Sequence, residues 1–242
     1  MRWIYLSPHF DDAVLSCGGL IHSQSRQGQV VEIWTIFAGD PHPGPRSEVA
    51  LKIHALWGTG DGAATIALRK EEDQAAAGCV GADVVHFDFA DCIYRRGPGG
   101  AYLYPESVFV PPVPADADLP ARIAGAIESE LLPGDILVCP LALGGHVDHI
   151  VARQAIECLG RPLRYYADFP YLVNYPDALA PAVAGLQAEL FPLSEDDLRL
   201  WQAGVAAYAS QISSLLREPA PMDDVLRAYW QQRQGICLWQ AG

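Results

Sequence analysis

One pattern restricts the fold of this sequence more than any other feature: an apolar strand, a short polar loop and an apolar helical stripe follow one another twice. Residues 1–7 read as a strand rich in aromatic and β-branched side chains, and a loop with one histidine and two aspartates leads into a helix that begins near Ala13. Residues 135–141 are a continuous apolar run, as a strand covered on both faces requires, and the polar loop 144–149 leads into a second helical stripe. The repetition predicts an α/β protein with parallel strands.

The rest of the chain extends this alternation of strands and helices. Strands are predicted at 29–37, 82–89 and 163–169, and helices at 47–57, 65–80, 119–132, 194–216 and within 222–239. We therefore predict a Rossmann-like, mostly parallel β-sheet flanked by helices in a three-layer α/β/α arrangement, with a C-terminal helical/β extension. The 242 residues fit a single domain, 1–242. Residues 96–118 are rich in glycine and proline, and we expect them to form a lid or a binding loop.

The composition excludes some classes of partner. The formal net charge is −13, so the clustered lysines and arginines that bind nucleic acid are missing, and the same acidity disfavours anionic lipid. No run of about 18 apolar residues predicts a membrane span, and no secretory signal opens the sequence. The six cysteines show no CxxC spacing, which favours free thiols in a reducing compartment, with Cys139 and Cys158 inside core elements. We expect a soluble cytoplasmic protein, and the sequence leaves its oligomeric state open.

The polar side chains of the two loops form a candidate metal site. Parallel strands have their carboxyl ends at one edge of the sheet, so we expect both loops to meet in one crevice. His9 and Asp12 are three residues apart, and His149 adds a second imidazole. Two imidazole nitrogens and one carboxylate oxygen are a ligand set of catalytic zinc, with the fourth position open to water. Asp11 is then the candidate general base that activates this water.

Each of these clusters has a simpler explanation when it is taken alone. Aspartates commonly cap helices, and a histidine at a helix start is often satisfied by nearby groups. Arg69 can be a solvated charge on its helix or a substrate contact. The conjunction of two clusters, each directly after a strand, favours a metal site over two polar caps. The sequence lacks a GxGxxG loop, a Walker loop and a GxSxG elbow.

Four motifs give the chain a resemblance to a known family. Ser7-Pro-His-Phe-Asp-Asp12 resembles the A-H-P-D-D-E signature of the LmbE-like (PIG-L) family of zinc-dependent N-deacetylases, and Gly145-His-Val-Asp-His149 resembles its H-x-D-H signature. Arg69-Lys-Glu-Glu72 is similar to the family's R-x-x-E helix, and Tyr208-Ala-Ser-Gln211 resembles its C-terminal S-Q segment. The resemblance therefore extends from residue 7 to about residue 211. It implies the same α/β fold that the strand and helix pattern predicts.

The resemblance also implies which side chains would hold an ion. By position, His9, Asp12 and His149 would be the metal ligands, and Asp11 would be the general base. The implied ion is Zn²⁺, and another divalent ion such as Fe²⁺ is an alternative, because affinity for nitrogen and oxygen ligands does not single out zinc.

Three further side chains receive roles from the resemblance alone. His146 would stabilise the oxyanion and help to protonate the leaving amine, Asp148 would orient His146, and Arg69 would contact the substrate. The chain departs from the signature at two positions. Ala13 stands where an acidic residue is usual, and Phe10 stands where proline is usual. Neither departure removes a ligand, but Ala13 removes a polar group close to the site and so bears on substrate preference.

The implied reaction is the hydrolysis of an acetamide on a small-molecule substrate, typically an N-acetylglucosamine unit of a sugar or glycoconjugate. Two alternatives remain open. One is a metal-dependent amidase that acts on another N-acyl group in a secondary-metabolite or thiol pathway. The other is a non-catalytic sugar-binding protein on the same fold.

Overall fold

A computed structural model gives the fold of the chain and describes residues 1–60, 62–216 and 220–242. The strands are β1 (Arg2–Ser7), β2 (Val30–Thr35), β3 (Asp83–His86), β4 (Ile136–Pro140), β5 (Leu163–Tyr166), β6 (Leu186–Pro192) and β7 (Gly235–Ala241). The α-helices are α1 (Asp12–Arg26), α2 (Glu48–Leu56), α3 (Gly62–Val80), α4 (Leu119–Glu130), α5 (Val147–Glu157), α6 (Tyr171–Asn174), α7 (Leu179–Ala182), α8 (Glu195–Ala206) and α9 (Met222–Arg233). None of the helices among the described residues is both long and apolar enough to cross a membrane.

The strands form one sheet whose order is β3-β2-β1-β4-β5-β7-β6. The five strands from β3 to β5 are parallel, whereas β7 is antiparallel to both β5 and β6. The predicted Rossmann-like, mostly parallel sheet is confirmed. The strand order runs outward in opposite directions from β1 and β4, so the crevice beyond their carboxyl ends is the expected ligand site of such a sheet.

Helices cover both faces of the sheet, as predicted. Right-handed crossovers from β1 to β2 and from β4 to β5 run in opposite directions along the sheet, which puts their helices on opposite faces. On one face α1, α3 and α8 pack against one another, and α4 packs against α5. The contact between α1 and α8 is close because Gly18 has no side chain: a Cβ there would lie 2.5 Å from Cδ1 of Trp201. The indole of Trp201 also donates a hydrogen bond to the carbonyl of Val14, at 2.8 Å.

The C-terminal part of the chain differs from the prediction in two ways. The helix predicted at 194–216 ends at Ala206, because the hydroxyl of Tyr208 donates to Asp73 and Ser210 donates to Glu72, and these contacts with α3 turn the chain away from its helical path. Neither β6 nor β7 was predicted as a separate strand. Most side chains of β6, at the edge of the sheet, are exposed, so the alternating apolar pattern of a strand is missing there.

The cysteines are free thiols, but one of them lies elsewhere than predicted. Cys139 is buried in β4, as predicted, whereas Cys158 is exposed. Cys158 follows directly after the last residue of α5, where the helix surface turns toward solvent. The glycine- and proline-rich segment 96–118 contains no α-helix or extended strand, in agreement with the prediction, and a 3₁₀ turn covers Pro114–Asp116.

Candidate metal centre and active site

The first polar loop is fixed by its own hydrogen bonds at the carboxyl end of β1. The hydroxyl of Ser7 accepts a hydrogen bond from the amide of Ala13 at 3.0 Å, and the carboxylate of Asp12 accepts one from the amide of His9 at 2.8 Å. Asp11 occupies the N-cap position of α1, but its side chain makes no capping hydrogen bond and lines a cavity instead. The capping explanation therefore does not account for Asp11.

The second polar loop lies at the carboxyl end of β4, and a glycine gives it its shape. Gly144 has a φ of +80°, and a Cβ there would lie 2.4 Å from the ring of Tyr171, so both the backbone conformation and the packing require glycine. The loop ends at His146, the N-cap residue of α5, whose Nδ1 accepts a hydrogen bond from the amide of Asp148 at 3.2 Å. In the neutral ring of His146 the proton therefore resides on Nε2.

The two loops meet, and the three predicted ligands come together. Oδ2 of Asp12 lies 3.4 Å from Nδ1 of His9 and 3.3 Å from Nε2 of His149. Four ligands placed 2.0–2.1 Å from a tetrahedral ion stand about 3.3–3.4 Å from one another. The two separations therefore match those of ligands around a common ion.

A second grouping of donors includes His146. His9, His146 and His149 each offer a nitrogen within 4.8 Å of the other two. Nδ1 of His146 already accepts a main-chain hydrogen bond, whereas Asp12 brings a carboxylate that would offset the charge of a divalent ion. The three histidines form a candidate site for a divalent metal among the described residues, and Asp12 places a carboxylate oxygen 3.3–3.4 Å from nitrogens of two of them.

Carboxylates also hold the outer nitrogens of both imidazole rings. Nε2 of His9 lies 3.1 Å from Oδ2 of Asp148, and Nδ1 of His149 lies 2.7 Å from Oδ1 of Asp168. Such partners fix the ring orientation and tautomer of metal-ligating histidines. Asp148 contacts the ring of His146 through its amide, and its carboxylate contacts His9 and Arg95.

The electrostatic environment of His9 and His149 favours positive charge. Burial lowers the pKa of His9, but the carboxylates of Asp91 and Asp12 contribute to raising it well above the usual imidazole value. Burial also lowers the pKa of His149, and Asp12 and Asp168 raise it to about 9. A cation between these rings would therefore meet an excess of negative charge.

The two groups expected to move protons have a different environment. Burial and the neighbouring charge of His9 hold the pKa of His146 well below its usual value, so this ring is neutral. Burial and the charge of Asp12 raise the pKa of Asp11 above that of an ordinary carboxyl group, although Arg69 opposes the change. A carboxyl group with a raised pKa binds a proton more readily, as a general base requires.

The guanidinium of Arg69 lies close to Asp11 and Asp91 and packs against two aromatic rings. It is 4.5 Å from the ring centroid of Trp57 and 4.9 Å from that of Phe10. One terminal nitrogen is 3.5 Å from Oδ1 of Asp11, and the other is 4.0 Å from Oδ2 of Asp91. Arg69 is buried and lines the cavity, so the explanation as a solvated helix charge is wrong. Phe10, the departure from the family signature, supplies one of its two stacking partners.

Six of the polar residues of this region lie at the floor of one cavity of about 370 Å³. His9, Asp11, Asp12, Arg69, Asp91 and His146 line its polar part. The segment that follows α8 lines it as well, through Gln211, and is fixed there because the hydroxyl and amide of Ser210 both donate to Glu72 of α3. The R-x-x-E and S-Q motifs are therefore in direct contact.

Three residues of the site were not assigned a role from the sequence. Asp168 follows β5, and Asp91 and Arg95 follow β3, so each lies beyond the carboxyl end of a parallel strand. Their position after a strand was the one sequence feature that pointed to a site. No second polar group close in sequence supported this interpretation. The buried Arg95 contacts both Asp148 and Asp116, and in this way connects the floor to segment 96–118.

Comparison with known proteins identifies similar sequences. The sequence model of PIG-L, described as GlcNAc-PI de-N-acetylase, matches residues 4–158. A 2'-N-acetylparomamine deacetylase from Niallia circulans is 28% identical over 237 residues, which cover 90% of this chain and 83% of that protein.

Solved structures show the same similarity over nearly the whole chain. A deacetylase of the teicoplanin biosynthesis pathway, in complex with bog, has a TM-score of 0.85 and 28% identity, with coverage of 99% of this chain and 97% of the other. The zinc inhibited form of teicoplanin deacetylase Orf2 has a TM-score of 0.84 and 27% identity, with the same coverage of both chains.

Proposed function

The chain belongs to the PIG-L family of de-N-acetylases, and on this basis we propose that it hydrolyses the acetamide of an N-acetylated amino sugar to acetate and a free amine. The substrate is a small-molecule sugar or glycoconjugate of the N-acetylglucosamine type. Residues 1–242 act as one catalytic domain, which is supported by the pairing of β7, near the C-terminal end, with β5 of the parallel sheet.

His9, Asp12 and His149 hold a divalent ion in this proposal. Support comes from their separations of 3.4 and 3.3 Å and from the carboxylates behind both rings. Zn²⁺ is the proposed ion, because two imidazoles and one carboxylate form a ligand set that catalytic zinc sites use. When bound, the ion would polarise the acetamide carbonyl and lower the pKa of water.

Asp11 is the proposed general base. It lines the cavity beside Asp12 and has no capping role. It takes a proton from the attacking water as the new carbon–oxygen bond forms, and it returns this proton to the nitrogen as the carbon–nitrogen bond breaks. Its raised pKa suits both transfers, because a general base must also give up its proton in the second half of the reaction.

His146 is the proposed donor to the oxyanion. Its Nδ1 is occupied by the amide of Asp148, which leaves the Nε2–H group free to donate as negative charge develops on the carbonyl oxygen. Arg69 and Asp91, side by side at the cavity floor, are the proposed partners of the sugar hydroxyls. Arg69 also keeps Asp11 in position through their contact.

The observation that carries this proposal is the meeting of His9, Asp12 and the buried His149 next to Asp11, where His9, Asp11 and Asp12 line a cavity. The test is release of free amine from methyl N-acetyl-β-glucosaminide by the purified protein, before and after removal of metal with a chelator. Zn²⁺ and Fe²⁺ are each added back, first at one equivalent and then in excess, because a related deacetylase is described in a zinc inhibited form.

We expect activity to be lost when the metal is removed and to return when one equivalent of metal is added back. His149→Ala should lose both metal and activity, whereas the exposed His42→Ala should retain both. Full activity in the chelated protein, or in His149→Ala, would refute the proposed metal site. Binding of the sugar without any amine release would favour the non-catalytic alternative.

A further inference from the structure

The cavity changes character between its floor and its mouth. Three large apolar side chains at the mouth are unusually exposed: Leu56 by 65%, Phe109 by 52% and Tyr175 by 40%. They come from α2, from segment 96–118 and from the residue that follows α6. Trp57, Ile53, Leu215 and Leu216 line the same cavity. We call the three exposed side chains, together with these four neighbours, the apolar mouth.

Isolated apolar side chains on a protein surface need no explanation, but a group that lines one cavity does. The three exposed members of the apolar mouth come from separate segments of the chain, and each lines the cavity whose floor contains the candidate metal site. Their exposure leaves apolar surface in contact with water that a bound molecule could cover. Covering such surface contributes about 25 cal/mol of favourable free energy per Å² of apolar area.

The apolar mouth is continuous with the catalytic floor. The ring of Phe109 meets that of His146 edge to face, with centroids 5.5 Å apart, and it meets the ring of Tyr171 at 6.1 Å. The amide of Val147 donates to the carbonyl of Val108 at 2.9 Å, which fixes this part of segment 96–118 to the start of α5. A substituent on the sugar would therefore pass from the polar floor directly onto these rings.

The charged groups of the cavity lie only at its floor. Among the described residues that line it, the aspartate and arginine side chains are those of Asp11, Asp12, Arg69 and Asp91, and all four are buried. Among the residues that the structure describes, those of the apolar mouth carry no carboxylate that could bind an ammonium group on a second sugar ring. Against these described side chains, a polycationic aminoglycoside would lose hydration without gaining an ion pair from them.

From these observations we infer that the substrate is an N-acetylated amino sugar joined to an uncharged apolar aglycone, aryl or alkyl, which the apolar mouth covers. This inference rests on the proposed function, and it names the part of the substrate beyond the sugar. The sugar lies at the polar floor, and the aglycone lies against Phe109, Leu56 and Tyr175.

The first experiment compares kcat/KM of the metal-loaded protein for the methyl, phenyl and hexyl N-acetyl-β-glucosaminides, each below its micelle concentration. A fully buried methylene is worth roughly fourfold in kcat/KM. The mouth is partly open, so we expect the hexyl glycoside to exceed the methyl glycoside by about tenfold or more. An N-acetylated aminoglycoside with several ammonium groups should be a poorer substrate than the methyl glycoside.

Substitutions in the apolar mouth test whether it causes the preference for the hexyl glycoside. Phe109→Ser and Leu56→Ser should each lower the hexyl-to-methyl ratio of kcat/KM about three- to tenfold. Leu132→Ser is the matched control, because Leu132 is also exposed, by 57%. It precedes β4 and so lies at the amino-terminal ends of the parallel strands, opposite the cavity. This control should keep the wild-type ratio.

A binding measurement separates failure of the inference from failure of the proposed reaction. Calorimetry of metal-loaded Asp11→Asn with the hexyl and methyl glycosides reports affinity without turnover. If the hexyl glycoside binds more tightly but the wild-type protein hydrolyses neither, the reaction is wrong and the apolar subsite stands. Equal kcat/KM for the two glycosides, or a preference for the aminoglycoside, would overturn the subsite and leave the reaction intact.

Discussion

His146 shows how a main-chain contact defines the role of one side chain. The amide of Asp148 occupies Nδ1, and burial together with the charge of His9 lowers the pKa of the ring, so a neutral Nε2–H group is available as a donor. The ring is close to the proposed ligands but is not one of them in this proposal. Its function can therefore be separated from metal binding.

We predict that His146→Ala folds, binds one equivalent of metal and loses about 10²–10³ in kcat, because one oxyanion donor is removed. Turnover of the methyl glycoside and metal content by elemental analysis check this. His149→Ala is the comparison, since it should lose the metal itself. Near-normal kcat in His146→Ala would refute the role of His146 as donor.

Asp168 is one of the three site residues that received no role from the sequence. It is fully buried, and its two oxygens accept from Nδ1 of His149 at 2.7 Å and from the amide of Leu143 at 3.1 Å. It thus fixes the orientation of a proposed ligand and also contacts the second polar loop.

Asp168→Asn should weaken metal affinity about 10- to 100-fold, as loss of such partners usually does. Competition with a chromogenic chelator measures the affinity, and circular dichroism controls for folding. If the affinity is unchanged, Asp168 serves only the conformation of the loop.

At the scale of elements, Arg95 connects segment 96–118 to the start of α5. Its guanidinium donates to Asp148 at 2.5 Å and to Asp116 at 2.8 Å, and the hydroxyl of Tyr104 also donates to Asp116. The irregular segment that carries Phe109 is therefore held in place by a buried ionic network rather than by regular secondary structure.

Arg95→Met should destabilise the protein by about 3–5 kcal/mol, because it leaves two buried carboxylates without their cation. Urea unfolding measures the difference. Arg122→Met is the control: the side chain of Arg122 is 64% exposed, and its pair with Asp118 is 3.9 Å long, so less than about 0.5 kcal/mol is expected. A loss for Arg95→Met as small as for the control would contradict the structural importance of this network.

The start of α8 supports a prediction about pH. Ser194 and Asp197 form a capping box, and Asp197 also contacts His22 and Arg26 of α1. Burial raises the pKa of Asp197, but the hydrogen bonds from Ser194 and the contacts with His22 and Arg26 lower it below the usual carboxyl value overall. A lowered pKa in the folded state contributes stability above the unfolded-state pKa, and this contribution is lost as the pH falls through the folded-state pKa.

Asp197→Asn should therefore cost about 1 kcal/mol or more at about pH 7, where the carboxylate caps the helix, and less at about pH 3. Urea unfolding at both pH values checks the sign. If the difference in free energy of unfolding between wild type and variant is independent of pH, the charge of Asp197 does not contribute to stability.

At the scale of the whole molecule, the candidate metal site joins the two halves of the sheet. His9 and Asp12 follow β1, and His149 lies in the helix that follows β4, the two strands at which the strand order reverses. The buried carboxylates of this region repel one another, and a bound cation would offset this repulsion. Metal binding and global stability should therefore be linked.

We predict that metal at about 100 times its Kd raises the free energy of unfolding by about 2.7 kcal/mol relative to the chelated protein. Differential scanning calorimetry with and without chelator measures the change in Tm. His149→Ala should show no change in Tm upon metal addition. A wild-type Tm that does not respond to the chelator would argue that no ion occupies the site in solution.

Local patterns in the sequence determined much of this protein. The two strand–loop–helix units predicted a parallel α/β sheet, and the rule that strand ends share one edge brought His9, Asp12 and His149 together as predicted. These features follow from short-range regularities: side-chain period, helix and strand preference, and the position of polar groups directly after a strand.

Only the tertiary structure decided the partners of these groups and the extent of the less regular elements. Asp148 contacts His9 through its carboxylate and His146 through its amide. Asp168, which follows another strand, contacts His149. The helix from residue 195 ends where contacts with α3 outweigh helix propensity, and β6 is a strand because β7 pairs with it. Apart from the amide contact of Asp148 with His146, groups distant in sequence supply the stabilising contact, and a local pattern contains no information about them.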